Sequence, residues 1–185
     1  SLSSLEMRKE EEKGNKEERE KGIAFSRYIH PLPFLPLTGR EDQERGTEIL
    51  CIQAEGLKKR LEHTGLRKVI LGLSGGLDST LALFVAVKCF QLLSYDVKDI
   101  YAVTMPSFGT SKRTHNNALD VAKILGVRVQ EISIEKAVRQ HFQDIGQDEK
   151  VKDLVYENAQ ARERTQILMD LANKEKALLL GTGDL

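Results

Sequence analysis

Apolar positions along this chain change period from block to block. Ile49, Leu50, Ile52, Leu57 and Leu61 recur at helical intervals, which predicts an amphipathic helix over about 47–65, ended by Gly65 in a left-handed cap. The next apolar run, Val69-Ile-Leu-Gly-Leu73, is short and continuous, the form of a strand buried on both faces. The same reading predicts a helix over 79–93, a strand over 100–105 stopped by Pro106, and a helix over 114–125 capped by Gly126. A strand over 127–134, a helix over 134–142, a long helix over 154–173 and a strand over 177–180 complete the series. Strands alternating with helices predict an α/β fold, a doubly wound parallel sheet with right-handed crossovers and helices on both faces. No internal repeat is present. Ligands of such open sheets bind beyond the carboxyl ends of the strands, where the strand order reverses, and each chemically informative loop here follows a strand's carboxyl end.

The first 45 residues do not share this pattern. Residues 1–25 are rich in Glu, Lys and Arg at helical spacing without an apolar stripe, so they read as a charged arm, an exposed helix or a tag. Residues 26–45 contain His30-Pro-Leu-Pro-Phe-Leu-Pro36, a proline-stiffened extended segment of linker type. Residues 46–185 then form one domain. The opening Ser1-Leu-Ser-Ser4, without methionine, reads as a tag remnant or as part of something longer.

Composition narrows the classes. Lys plus Arg and Asp plus Glu balance at 28 each, so no basic excess points to nucleic acid. No stretch approaches the ~18 apolar residues that cross a bilayer, and the charged start does not resemble a signal peptide, so a soluble cytoplasmic protein without membrane contact is expected. Cys51 and Cys89 fall in apolar helical patterns without metal-ligand spacing and are expected to be buried thiols of a reducing compartment. His30, His63, His115 and His141 are scattered and read as surface or cap residues.

The chemistry concentrates where the first strand breaks into Ser74-Gly-Gly-Leu-Asp-Ser79 and then resumes as an apolar helix. Gly75 and Gly76 allow a sharp turn and close backbone approach, Ser74, Ser79 and Thr80 offer hydroxyls, and the helix start offers unpaired N–H groups and a positive dipole end. These are the parts of a phosphate cradle. Asp78 would repel phosphates unless a cation lies between, so it is read as a magnesium ligand. The loop lacks the Gly-Lys-Ser/Thr ending of a Walker A loop and the three-glycine spacing of a dinucleotide fingerprint. The bland alternative is a glycine-rich turn with an ordinary cap.

Two further segments accompany it. Thr104-Met-Pro-Ser-Phe-Gly-Thr-Ser-Lys-Arg-Thr114 offers Lys112 and Arg113 to a polyphosphate, or else simply caps the next helix. At the head of the long helix Asn158 and Arg162 lie four apart and share a face, while Arg164 points elsewhere. An amide beside a guanidinium suits a ligand with a carboxylate or carbonyl and phosphates; the alternative is a charged surface of weak pairs with Glu157 and Glu163.

Ser74-Gly-Gly-Leu-Asp-Ser79 resembles the pyrophosphate loop of the ATP pyrophosphatase group, whose adenine nucleotide α-hydrolase-like members cleave ATP between its α and β phosphates. Together with Tyr156-Glu-Asn-Ala-Gln-Ala-Arg-Glu-Arg164 and Gly181-Thr-Gly-Asp-Leu185, in this order and spacing, it resembles the NAD synthetase family over about residues 46–185. The Pro-Leu-Pro-Phe segment is similar to the linker that precedes the synthetase domain in the glutamine-dependent branch. The resemblance implies ATP-dependent amidation of deamido-NAD to NAD through an adenylated intermediate, with ammonia from glutamine by way of a glutaminase domain absent here. It implies that Ser74, Gly75, Gly76 and Ser79 hold the β and γ phosphates and that Asp78 binds Mg2+. Met105 would recognise the base through its backbone, Thr182 would touch ATP phosphate, and Asn158 and Arg162 would contact deamido-NAD. No side-chain nucleophile is implied, and the full-length protein is expected to be a homodimer. In the family the Gly-Thr-Gly-Asp-Leu run continues into a metal-binding glutamate, whereas this sequence stops at Leu185, so weakened magnesium and ATP binding and little turnover are expected of it alone. The competing readings are a tRNA-modifying ligase or sulfurtransferase with the same loop, and a non-catalytic ATP-binding module of the universal stress type.

Overall fold

A computed structural model describes residues 39–108 and 112–182. The charged arm over 1–25, most of the linker segment and the loop around Gly109 lie outside the described residues, as do the side chains of Lys112 and Arg113. The chain divides into two units after Asp42, and the second, from Gln43 onward, holds the sheet.

Helix α1 (Gly39–Thr64) starts eight residues before the expected position. Arg40, Glu41, Gln43, Glu44 and Arg45 are good helix formers, but they carry no apolar stripe and so read as linker. Strand β1 (Val69–Gly72) leads through the glycine loop into α2 (Leu77–Leu93). A short 3-10 turn, Val97–Asp99, capped by the Asp96 carboxylate accepting from Lys98 N–H at 2.9 Å, feeds β2 (Ile100–Thr104). Then come α3 (Lys112–Leu125), β3 (Arg128–Glu131), α4 (Glu135–Ile145), α5 (Leu154–Glu175) and β4 (Leu178–Leu180). Strand β3 is shorter than the expected 127–134: at its start the Val127 N–H bonds back to Ala122 in the end of α3 at 3.2 Å, and it ends at Glu131. Its residues are mostly exposed, as suits an edge strand.

The four strands are parallel in the order β3-β2-β1-β4. Val69 lies beside both Ile100 and Leu178, which makes β1 a central strand. Alternation along the strands fills two separate layers. Val69, Leu71, Ile100 and Ala102 pack with Leu61, Leu83 and Phe90 on the α1, α2 and α3 side. Ile70, Tyr101 and Val103 pack with Val138, Phe142 and Tyr156 on the α4 and α5 side. The expected doubly wound sheet with helices on both faces is therefore present, and its order reverses between β1 and β4.

Helix α5 runs antiparallel to the strands, as three contacts show in sequence. At the amino end of the sheet Glu175 accepts from Lys68 Nζ at 3.0 Å and from the Tyr101 hydroxyl at 3.2 Å, while Arg128 donates to that hydroxyl at 2.8 Å. Midway, a Cβ placed on Gly72 would come within 3.0 Å of Leu168 Cδ1, so glycine is what lets the helix lie this close to β1. At the carboxyl end Arg164 Nε donates to the Met105 carbonyl at 3.4 Å. Asp153 caps the start of α5 by accepting from Tyr156 N–H at 3.0 Å, and that bond holds its carboxyl below the ordinary aspartate range.

Candidate functional site

The glycine loop leaves β1 at the point where the strand order reverses, and Gly75 turns it with φ of 83°. That value lies in the left-handed region, where a side chain is strained. Two serines hold the turn. Ser79, buried at the first turn of α2, accepts from Ser74 N–H at 3.3 Å, lies 3.0 Å from the Ser74 hydroxyl, and donates to the Gly76 carbonyl at 3.1 Å. Ser74 Oγ in turn accepts from Gly76 N–H at 3.2 Å, and Thr80 Oγ1 donates to Gly76 at 2.8 Å. Each hydroxyl has one hydrogen, so Ser74 and Ser79 spend theirs shaping the loop. Offering them to a ligand requires the hydroxyls to turn. Gly76 caps α2 with extended backbone and no side-chain bond, which leaves the first-turn N–H groups for an anion.

Asp78 is exposed and lines an open cavity of about 780 Å³ together with Arg60 of α1, Leu81 of α2 and Gly181 and Thr182 beyond β4. The fold thus brings Asp78 and Thr182 to one cavity from distant parts of the sequence, because β1 and β4 are neighbours in the sheet. Gly75 and Gly76 line a separate hollow of about 380 Å³ with Thr80, Asn117 and Asp120. Among the described residues no three His, Cys, Asp or Glu side chains converge as a metal cage. A single exposed carboxylate next to a polar loop suits magnesium, which binds through one or two carboxylates while keeping waters and taking phosphate oxygens. Asp78 is the residue that would hold it.

Asn158 and Arg162 do share a face, as their spacing requires. They line a shallow groove of about 450 Å³ with Ala161, Thr165, Gln166 and Met169, and neither borders the two hollows at the loop. Arg164, two residues on, occupies the opposite face and is half-buried against the end of β2. Burial pulls its guanidinium below the ordinary arginine value. Met105 is buried, and its carbonyl is the acceptor of that arginine. Sequence reasoning passed over Arg164, although a signal existed: Gln160, Arg164, Leu168 and Ala172 follow one another at intervals of four, and Gln160 and Ala172 are buried. Asn117 and Asp120 were likewise missed, since nothing short-range links α3 to the loop. The expectation of burial holds for Cys89 and is corrected for Cys51, which is half-buried on α1.

Comparison with known proteins gives a consistent result. The family model described as NAD synthase matches residues 50–185. The glutamine-dependent NAD(+) synthetase of Mycobacterium tuberculosis (strain H37Rv) is 40% identical over 167 residues, which cover 88% of this chain and 25% of that protein. The structure of glutamine-dependent NAD+ synthetase from Acinetobacter baumannii in complex with ADP superposes with a TM-score of 0.68 at 34% identity, covering 75% of this chain and 26% of that one. The NH3-dependent NAD synthetase from Campylobacter jejuni gives 0.63 at 25% identity, over 75% of this chain and 56% of that one. The chain spans about a quarter of the length of the curated relatives it matches.

Proposed function

Since this chain belongs to the NAD synthase family, we propose that it forms the nucleotide-binding part of a ligase that amidates deamido-NAD to NAD at the expense of ATP. The observation that carries this reading is the meeting of Asp78 and Thr182 in one cavity at the switch point, beside a glycine loop whose helix N-terminus has no side-chain cap. In the proposed reaction the nicotinate carboxylate oxygen bonds to the α phosphorus of ATP, and the bond to the bridging oxygen breaks to release pyrophosphate. Ammonia then adds to the acyl carbon, loses a proton and expels AMP, leaving the amide. No side-chain nucleophile is required, so these residues serve by binding and alignment.

The first-turn N–H groups of α2 and the loop at Gly75 and Gly76 receive the β and γ phosphates, and Thr182 adds a hydroxyl from the segment beyond β4. The base lies at the end of β2 by Met105, and Asn158 and Arg162 take deamido-NAD. Magnesium, when held by Asp78, supplies positive charge against the departing pyrophosphate. The groove of Asn158 and Arg162 is lined by Met169, an apolar side chain left 55% exposed, and the same helix leaves Leu154 75% exposed at its start. That surface supports a homodimer in which this groove is closed by a second subunit. Glutamine, hydrolysed by a domain outside this chain, provides the ammonia, and the setting is the cytoplasm, which accords with two free thiols.

The test is NAD formation from deamido-NAD, ATP, magnesium and ammonium by the full-length polypeptide carrying this chain, with Asp78→Ala as control. Product that depends on Asp78 supports the reading. ATP binding without product points to another acceptor used by the same loop group.

A further inference from the structure

None of the roles above falls to Arg164, yet the fold sets it at the carboxyl end of the sheet. It lies one helical turn before Leu168, and Leu168 covers Gly72, the last residue of β1. A turn of four residues advances about 6 Å along a helix axis, so Arg164 stands beyond the end of β1, level with the start of the glycine loop. Its Nε donates to the Met105 carbonyl at 3.4 Å, and neither Nη group bonds to a described residue. No described carboxylate pairs with it; the ion pairs between described residues join Lys58, Lys59, Lys68 and Arg139 to their partners.

A guanidinium half-withdrawn from water without a counter-charge is unfavourable until an anion completes it. Tethering Nε while the two Nη groups stay free pre-orients the planar fork for paired oxygens. The loop has no cation of its own, for no lysine or arginine occurs between Val69 and Val87, whereas a Walker A loop carries its own lysine; Arg60 reaches the cavity at Asp78 from another helix. We propose that Arg164 is a further phosphate-binding residue, whose Nη groups take oxygens of the polyphosphate held by the 74–79 loop. This rests on the nucleotide reading and adds to it a side-chain cation at the loop.

The experiment titrates ATP with magnesium, inorganic pyrophosphate, and adenosine into the full-length polypeptide and its Arg164→Gln and Arg164→Lys variants, with thermal melting as a check of folding. Arg164→Gln is expected to weaken ATP and pyrophosphate about 30-fold, the worth of one charge-assisted hydrogen bond, and to leave adenosine unchanged. Arg164→Lys keeps the charge and loses less than about tenfold. Independently of any variant, ATP and pyrophosphate should protect Arg164 from phenylglyoxal, and adenosine should not. Pyrophosphate affinity unchanged in Arg164→Gln, an equal loss for adenosine, or modification unaffected by ATP overturns this role alone. A wild-type protein that binds neither ATP nor pyrophosphate overturns the nucleotide reading and this proposal with it.

Discussion

Lys68 and Glu175 meet at 3.0 Å across the amino end of the sheet, tying the residue before β1 to the last residue of α5. The Tyr101 hydroxyl shares the same carboxylate oxygen, and the Lys68 and Arg128 cations lie 5.5 and 4.8 Å from the Tyr101 ring centre. The cluster fixes the far end of the helix that carries Asn158, Arg162 and Arg164 at its near end.

Replacing Glu175 by Gln should therefore lower the melting temperature at neutral pH, with an effect bounded at both pH extremes. The bond to Lys68, then that to Tyr101, holds the Glu175 carboxyl below its ordinary range, so its contribution is present above that range and is lost as pH falls through the lowered folded value. The bonds to Glu175 and then Tyr101 raise Lys68, whose contribution is complete below the ordinary lysine value and fades as pH rises through the raised one. Melting curves of wild type and Glu175→Gln should converge once pH falls below the lowered Glu175 value, under the ordinary glutamate range, and again once it rises past the raised Lys68 value, above the ordinary lysine range. A constant gap across the range contradicts the ion-pair account.

Gly72→Ala should destabilise the unit by about 1–3 kcal/mol, the usual cost of overpacking, because its Cβ meets Leu168 Cδ1 at 3.0 Å. Leu168→Ala in the same chain removes the obstacle. A double-mutant cycle by urea denaturation is expected to show that the Gly72→Ala penalty nearly disappears in the Leu168→Ala background.

Ser79→Ala and Thr80→Ala separate the shaping of the loop from its exposed hydroxyls. The buried Ser79 hydroxyl engages Ser74 N–H, Ser74 Oγ and the Gly76 carbonyl, so its removal should cost about 1–3 kcal/mol and weaken ATP binding as the turn relaxes. Thr80 makes one side-chain bond, to Gly76. Its replacement should change stability by about 1 kcal/mol or less, measured by the same denaturation series.

The two thiols should react unequally. Burial pushes the Cys89 thiol up to about 11, and its side chain is fully covered, whereas Cys51 is half-buried. Thiolate is the reactive form, so an aromatic disulfide reagent at pH about 8 should titrate Cys51 quickly and reach Cys89 only on unfolding. The raised value of Cys89 also means that its share of stability is intact below the ordinary thiol range and declines as pH rises toward about 11.

Much of the fold is legible in short windows of sequence. Val69 to Leu73 reads as a buried strand because five apolar residues bounded by a lysine and a serine have few other uses, and Asn158 and Arg162 share a face because four residues make about one helical turn. Gly126 and Gly146 end their helices with φ of 70°, as glycine at that position favours. Less legible was the start of α1, where propensity without an apolar stripe builds helix that periodicity does not register. That Arg164 points away from Asn158 and Arg162 follows from helix spacing, but what it points at does not: the interval of four linking Gln160, Arg164, Leu168 and Ala172 is in the sequence, and only the packed sheet shows that this row faces inward.

By itself the sequence determined the alternation of strands and helices, the glycine turn, the family and the residues of the loop. These depend on periodicity, turn chemistry and motif order, all of which act within one element or its connection. Only the tertiary structure decided the order β3-β2-β1-β4, the meeting of Asp78 with Thr182, the approach of Leu168 to Gly72 and the inward turn of Arg164. Those depend on which nonlocal surfaces bury one another best, and burial is a property of the assembled layers that no single stretch of chain carries.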